Sequence, residues 1–176
     1  TPFDRPLATK FKKYRLSDEF LCFYYKFMLP NMRTIKESAS TKKFESLSGK
    51  AFDIWLGFAY KRFCLKHAYK LASIMGFTDE VLAASPYFRR NDPSFQIDLV
   101  FRRSDNVLTV CEIKHSSDLI GTKIIPEVER KCKLIDVPKG VTVERALISL
   151  YGPDSALKES GYFHHSVTLK ELLSNN

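Results

Sequence analysis

The sequence of 176 residues lacks the marks of several protein classes. Its four cysteines form no C-x-x-C pair and show no zinc-ligand spacing, so neither a disulfide scaffold nor a zinc finger is indicated. No apolar run approaches the roughly 18–20 residues that span a bilayer. No apolar signal segment follows the charged start of the chain. We therefore expect a cytoplasmic protein with reduced thiols and without a membrane partner.

The charge of the sequence is basic. Lysine and arginine number 28 against 20 acidic residues, which gives a formal net charge of +8. Such a balance suits a polyanion, and DNA is the partner that we expect. A basic surface that only keeps the protein soluble explains the charge equally well. The apolar content of 44% is typical of a packed globular protein.

The first half of the chain is predicted to be mostly helical. Ser17 is a candidate N-cap that precedes an acidic first turn, and Pro30 lies beyond the end of this helix. Residues 31–46 are polar and without periodicity, which predicts a loop. A long helix is predicted at about 48–75, with Gly76 as its C-terminal signal.

The second half of the chain is predicted to alternate between strands and helices. The predicted strands lie at about 85–90, 95–103, 107–114, 142–151 and 162–167, and the predicted helices at about 121–135 and 168–173. Pro126 either kinks the first of these helices or marks its first turn. This order predicts an α/β fold.

Two of these strands are predicted to form a hairpin with a defined register. Residues 104–106, Ser-Asp-Asn, are turn formers between two strand-like segments. If these three residues form the loop, Asp98 lies opposite Glu112 and Gln96 lies opposite Lys114. Glu112 and Lys114 then share one face of their strand.

Strict alternation of side chains also predicts the faces of the first hairpin strand. It places Gln96 and Asp98 on one face, and Phe95, Ile97 and Leu99 on the other.

The predicted register brings two carboxylates together within apolar strands. Like charges directly opposed on neighbouring strands are destabilising, and a bound cation would explain the pair of Asp98 and Glu112. Such oxygen ligands suit Mg²⁺ or Mn²⁺. Lys114 would then orient a water molecule or hold a phosphate oxygen. The alternative is a salt-bridged face on which Lys114 neutralises the two acids.

Several short segments together resemble a known family. They are YRLSDEFL at 14–21, WLGFAY at 55–60, CLKH at 64–67, QIDLV at 96–100, CEIK at 111–114 and VTLKEL at 167–172. In this order they resemble the C-terminal PD-(D/E)XK nuclease-like domain of a bacterial and archaeal family of P-loop (AAA-type) ATPases. The resemblance covers nearly the whole chain.

The resemblance implies a restriction-endonuclease-like α/β core at residues 47–176, in which helices flank a mixed central sheet. Residues 1–46 would be a helical linker that follows an upstream ATPase and winged-helix region. The implied activity is metal-dependent hydrolysis of DNA, with Asp98, Glu112 and Lys114 as catalytic residues. Asp98, Glu112 and the backbone carbonyl of Ile113 would hold Mg²⁺ or Mn²⁺.

The sequence departs from the family at Lys61, where the family usually carries a metal-supporting Glu. Asp53 lies about 12 Å away along a helix with a rise of ~1.5 Å per residue, so it is a poor substitute. Lys61 would instead contact DNA phosphate or pair with Asp98. Two functions therefore stay open: a DNA-cleaving enzyme, and a module of the same fold that has lost turnover and binds DNA or a protein.

Further polar residues are candidates for supporting roles. Gln96 would be an accessory residue of the metal site, as Lys61 would be. Candidates for DNA contacts are Arg89, Arg90, Lys123 and Lys131. For the two lysines of the predicted helix, a solvated helix face is the alternative to contact with a phosphate backbone.

Overall fold

The computed structural model describes residues 16, 18–37, 43–89 and 92–174. Two residues singled out in the sequence, Ser17 and Arg90, lie outside this part of the chain. No helix within it is long and apolar enough to cross a membrane.

The N-terminal segment is a series of short helices. It comprises α1 (Glu19–Phe23), a π-helical turn (Tyr24–Met28), a 3-10 turn (Leu29–Asn31) and α2 (Met32–Glu37). The cap of α1 is Asp18 rather than the predicted Ser17, because the Asp18 side chain accepts a hydrogen bond of 2.8 Å from the Leu21 amide.

The prediction of a loop over the whole of residues 31–46 was wrong. The chain continues through Pro30 into α2, and α3 already begins at Lys43. Proline is tolerated there because it occupies the first turn of a 3-10 segment, where its missing amide hydrogen is not needed. An ion pair of 3.1 Å between Arg33 and Glu37, one helical turn apart, supports α2, in which no residue is fully buried.

The predicted long helix is divided in two. Helix α3 (Lys43–Lys66) has a kink at Gly49, and α4 (Ala68–Met75) follows a non-helical residue, His67. The prediction that Gly76 ends the helix is confirmed, since this residue has a left-handed backbone with φ of 84°.

Five strands form one mixed sheet in the order β1-β2-β3-β4-β5. The strands are β1 (Val81–Arg89), β2 (Phe95–Arg103), β3 (Val107–Lys114), β4 (Thr142–Ser149) and β5 (His165–Thr168). Strands β1 to β3 pair antiparallel, whereas β4 and β5 join in parallel. The remaining helices are α5 (Ile125–Leu134), α6 (Ser155–Glu159) and α7 (Leu169–Leu173). Helix α6 was not predicted, and Pro126 lies in the first turn of α5.

Helices cover both faces of the sheet, which explains why its central strands are almost continuously apolar. On the first face, Leu71 of α4 packs with Leu99, Phe101 and Ile113. On the second face, apolar residues of the α5 segment pack in two clusters. The fold is therefore a mixed α/β domain with a central sheet flanked by helices.

The predicted register of the hairpin is confirmed next to the loop. The predicted pairs of Asp98 with Glu112 and of Gln96 with Lys114 were wrong, because the ladder between β2 and β3 ends at Leu99 and Cys111. Leu99 pairs with Cys111 and Arg102 pairs with Leu108, which is the register that residues 104–106 impose as a loop. Asn106 ends this loop with a left-handed backbone at φ of 61°. A left-handed residue at this position is usual in three-residue hairpin loops.

The predicted alternation of β2 was wrong at Leu99. Ile97 packs on the second face and Leu99 on the first, although strict alternation would place both on one face. The cause is a bulge: Ser85 pairs with Val100 and Tyr87 pairs with Ile97, so two residues of β2 lie opposite Pro86. Proline offers no amide hydrogen to the ladder, and the extra residue accommodates this gap.

Candidate functional site

The candidate site lies where the sheet divides between β2 and β3. Their last pair toward this end is Leu99 with Cys111; beyond it β2 continues along β1, and β3 continues along β4. A cavity of about 510 Å³ opens here. Its charged lining residues are Lys61, Arg62, Asp98, Glu112, Lys114, Glu127 and Lys131, and Gln96 lines it as well.

Asp98 joins helix α3 to strand β3. Its carboxylate accepts a hydrogen bond of 2.9 Å from Lys61 Nζ at Oδ1 and one of 3.2 Å from the Ile113 amide at Oδ2. Because of the bulge opposite Pro86, Asp98 and the next residue, Leu99, both face α3. Of the two roles considered for Lys61, the structure shows the pair with Asp98.

Glu112 is the most buried acid of the cavity, with 2% of the residue exposed. Lys131 Nζ donates a hydrogen bond of 2.7 Å to its Oε2. Lys114 Nζ lies 3.0 Å from Oε1, close enough for an ion pair but outside hydrogen-bond geometry. Among the described residues, Oε1 accepts no hydrogen bond of good geometry, but the Lys114 ammonium neutralises its charge, so a further ligand would have to displace Lys114.

Glu127 completes this group of charges from α5. It lies 3.0 Å from Lys131 and 3.3 Å from Lys114. The hydrogen bond from Lys131 lowers the pKa of Glu127. Burial opposes the charges of both lysines, but attraction to Glu112 and Glu127 outweighs it and raises the pKa of Lys114 and of Lys131. All three groups are thus ionised near neutral pH.

The donor set could take a magnesium ion only under two conditions. Within residues 18–37, 43–89 and 92–174, no three His, Cys, Asp or Glu side chains converge as metal ligands. Mg²⁺ nevertheless needs only one or two carboxylates when waters and a substrate phosphate supply its other ligands. Asp98 and Glu112 offer two such carboxylates. The conditions are that Lys61 leaves Asp98 Oδ1 and that Lys114 moves away from Glu112 Oε1.

The other predicted site residues fall into different environments. Gln96 is exposed and lines the cavity, as an accessory role requires. The Ile113 amide is committed to Asp98, whereas the role of its carbonyl as a metal ligand stays a prediction.

The predicted DNA contacts also differ from one another. Lys123 is exposed, in a 3-10 turn that precedes α5. Arg89 donates a hydrogen bond of 3.4 Å to the Leu134 carbonyl at the end of α5. Lys131 is buried within the cavity, so the alternative of a solvated helix face does not apply to it.

Two charged residues of the cavity were not predicted from the sequence. Glu127 lies four positions before Lys131, a spacing that could have suggested an ion pair on one helix face. Arg62 binds Glu19 of α1 with Nη2–Oε2 at 2.6 Å, a contact between distant segments for which the sequence holds no local signal.

Behind Asp98, the first face of the sheet presents buried phenol and thiol groups. The side chains of Tyr60 and Cys64 interact there, and burial raises the pKa of the Cys64 thiol to about 12. Burial raises the pKa of Tyr60 and of Cys111 in the same way. These thiols stay protonated at neutral pH, so they are structural rather than nucleophilic.

Comparison with known proteins adds no family assignment. No family model matches the sequence, and no curated protein matches it.

Proposed function

We propose that this chain contains a PD-(D/E)XK nuclease-like domain that hydrolyses DNA phosphodiester bonds in a metal-dependent reaction. One observation carries the proposal: Asp98 and Glu112, from neighbouring strands, line the same cavity as Lys114. In apolar strands, paired carboxylates beside an ammonium group suit a metal ion that binds a phosphate.

Asp98 and Glu112 would hold Mg²⁺ or Mn²⁺, with the Ile113 carbonyl as a third ligand. When bound, the metal would neutralise charge on the scissile phosphate and favour ionisation of a bound water molecule. Lys114 lies at the rim of the cavity, with a third of its side chain exposed, and is held between Glu112 and Glu127. From this position its ammonium would orient the attacking water or bind a nonbridging phosphate oxygen.

The proposed reaction is a simple hydrolysis. The oxygen of water forms a new bond to phosphorus while the bond between phosphorus and one sugar oxygen breaks. One proton of the water passes to the leaving oxygen through solvent, so the products are a phosphate monoester and a free hydroxyl group. Lys61 and Arg62 line the same cavity and would attract the phosphate backbone.

The test is a cleavage assay on supercoiled plasmid and on labelled single-stranded and duplex oligonucleotides, with Mg²⁺, Mn²⁺ or EDTA. Asp98→Ala, Glu112→Gln and Lys114→Met should each lower the rate by about 100-fold or more, as loss of a group acting in the transition state does. Asp53→Asn is the matched control, because Asp53 is exposed on α3 and lines no part of the cavity. Metal-dependent cleavage that survives in all three variants would show that this site is not responsible.

A second candidate is a nuclease-fold module that binds DNA or a protein without turnover. The observation that favours it is the ion pair of 2.9 Å between Lys61 and Asp98, which occupies one oxygen of a proposed metal ligand. This function predicts no cleavage with either metal, together with DNA binding in EDTA that Lys61→Ala and Lys114→Ala weaken. Fluorescence anisotropy with the same oligonucleotides separates the two candidates.

A further inference from the structure

Lys61 holds Asp98 in a way that a divalent cation would have to disrupt. Its Nζ lies 2.9 Å from Oδ1, and the Ile113 amide donates to Oδ2, so each carboxylate oxygen already accepts a hydrogen bond. Only 6% of the Asp98 side chain is exposed, which leaves solvent little part in neutralising it. A metal would therefore reach Oδ1 only after Lys61 moves away.

Lys61 is the more exposed member of this pair. Some 35% of its side chain is exposed at the rim of the cavity, whereas Asp98 is fixed in β2. A lysine ammonium on its four-carbon stem reaches alternative anions by rotation alone. A phosphate group that enters the cavity would offer such an anion.

The balance of charges in the cavity links metal binding at Asp98 to the binding of a phosphate by Lys61. Three ammonium groups, of Lys61, Lys114 and Lys131, contact three carboxylates, of Asp98, Glu112 and Glu127. Arg62 is balanced separately by Glu19. A divalent cation alone would leave two positive charges uncompensated in a largely buried site, and a phosphate backbone would offset them.

We propose that Lys61 is an internal counter-cation that couples metal binding at Asp98 to binding of the DNA backbone. A phosphate of the DNA backbone attracts the Lys61 ammonium away from Asp98. The freed Asp98 carboxylate then binds the metal. By linkage, each ligand strengthens the binding of the other. This inference rests on the proposed function for the metal site, but its test measures binding and not turnover.

The probe is Mn²⁺, with its free concentration measured by electron paramagnetic resonance, with and without a phosphorothioate oligonucleotide that resists hydrolysis. For the wild type we expect weak binding of Mn²⁺ alone and binding tightened by the oligonucleotide by about 5- to 150-fold, the usual range of coupled sites. Lys61→Met should bind Mn²⁺ more tightly than wild type without the oligonucleotide and should lose most of the enhancement. Lys61→Arg, which keeps the positive charge beside Asp98, should retain the enhancement by the oligonucleotide.

The controls address folding and location. Lys66→Met changes a lysine of the same helix that pairs with Glu19 at 3.8 Å, and it should behave like the wild type. Lys61→Gln removes the charge but keeps a hydrogen-bond donor beside Asp98. It should give the same result as Lys61→Met. It therefore replaces the methionine variant in the test if that variant does not fold. Adding Asp98→Asn to the Lys61→Gln variant should abolish the gain in Mn²⁺ affinity.

The proposal is overturned if the folded Lys61 variants bind Mn²⁺ no more tightly than wild type, or if their gain survives Asp98→Asn. These outcomes are separate from the fate of the hydrolysis proposal. Coupled binding without DNA cleavage would reject the enzymatic function and support the role of Lys61. Cleavage without any effect of Lys61 on metal affinity would support the enzymatic function and reject the role of Lys61.

Discussion

The ammonium of Lys131 lies 2.7 Å from Glu112 Oε2 and joins helix α5 to strand β3 within the cavity. Only 9% of the Lys131 side chain and 2% of the Glu112 side chain are exposed. Removal of one member of such a pair leaves a buried charge poorly compensated.

Lys131→Met should therefore lower the free energy of unfolding by about 3 kcal/mol, the lower end for a broken buried pair, because Lys114 remains beside Glu112. Lys133→Met is the matched control on the same helix. Its side chain is 74% exposed, and its loss should change stability by less than about 0.5 kcal/mol. Urea unfolding followed by circular dichroism measures both, and equal effects would contradict the assigned role of Lys131.

Asn106 should tolerate glycine but not alanine. Its φ of 61° is a left-handed conformation in which a Cβ atom is strained unless the side chain is Asn or Asp. We expect Asn106→Ala to lower the free energy of unfolding by about 1 kcal/mol and Asn106→Gly to leave it nearly unchanged. Ser104→Ala, in the same loop without positive φ, is the control. Thermal unfolding of the three variants would reject this view of the turn if alanine and glycine gave the same result.

Stability should decrease in alkaline solution because of buried thiols. The pKa of Cys64 is raised from 9.0 to about 12 by burial, so the folded state keeps a proton that the unfolded state loses above pH 9. The contribution of this group is complete below pH 9 and is lost as pH rises toward 12, at up to about 1.4 kcal/mol per pH unit.

Cys64→Ala should accordingly show a shallower decline of stability with pH than the wild type between pH 9 and 10.5. Cys22→Ala, in a half-buried position of α1, serves as the control and should keep the wild-type slope. The measurement is urea unfolding at a series of pH values. Parallel curves for the wild type and Cys64→Ala would mean that the buried thiol is not the source of the decline.

Lys123 should contribute to nonspecific attraction of DNA. It is exposed in the turn that precedes α5, the helix that carries Glu127 and Lys131 into the cavity. Lys123→Ala should reduce the slope of log K against log [salt] by about 1, the value for one lost phosphate contact. Lys170→Ala is the control, since this exposed lysine of α7 does not line the cavity. An equal change of slope for both would remove Lys123 from the predicted contacts.

Local sequence patterns predicted much of the fold. Ser-Asp-Asn at 104–106 predicted the hairpin loop, and the loop length alone set the pairing of Leu99 with Cys111. The bounds of β2 and β3 agree with the prediction because turn formers border both segments. Helix α2 was missed because residues 31–46 are mostly polar, and the exposed ion pair between Arg33 and Glu37 is only a weak helical signal.

The amino-acid sequence by itself determined which acids enter the sheet and how the hairpin that bears them is aligned, because turn chemistry and strand alternation act over a few residues. Only the tertiary structure decided how the acids are used. Helix α3 brings Lys61 to Asp98, and α5 brings Lys131 to Glu112. Such partners lie 37 and 19 residues apart. Their choice depends on how helices pack on the two faces of the sheet, which no local pattern encodes.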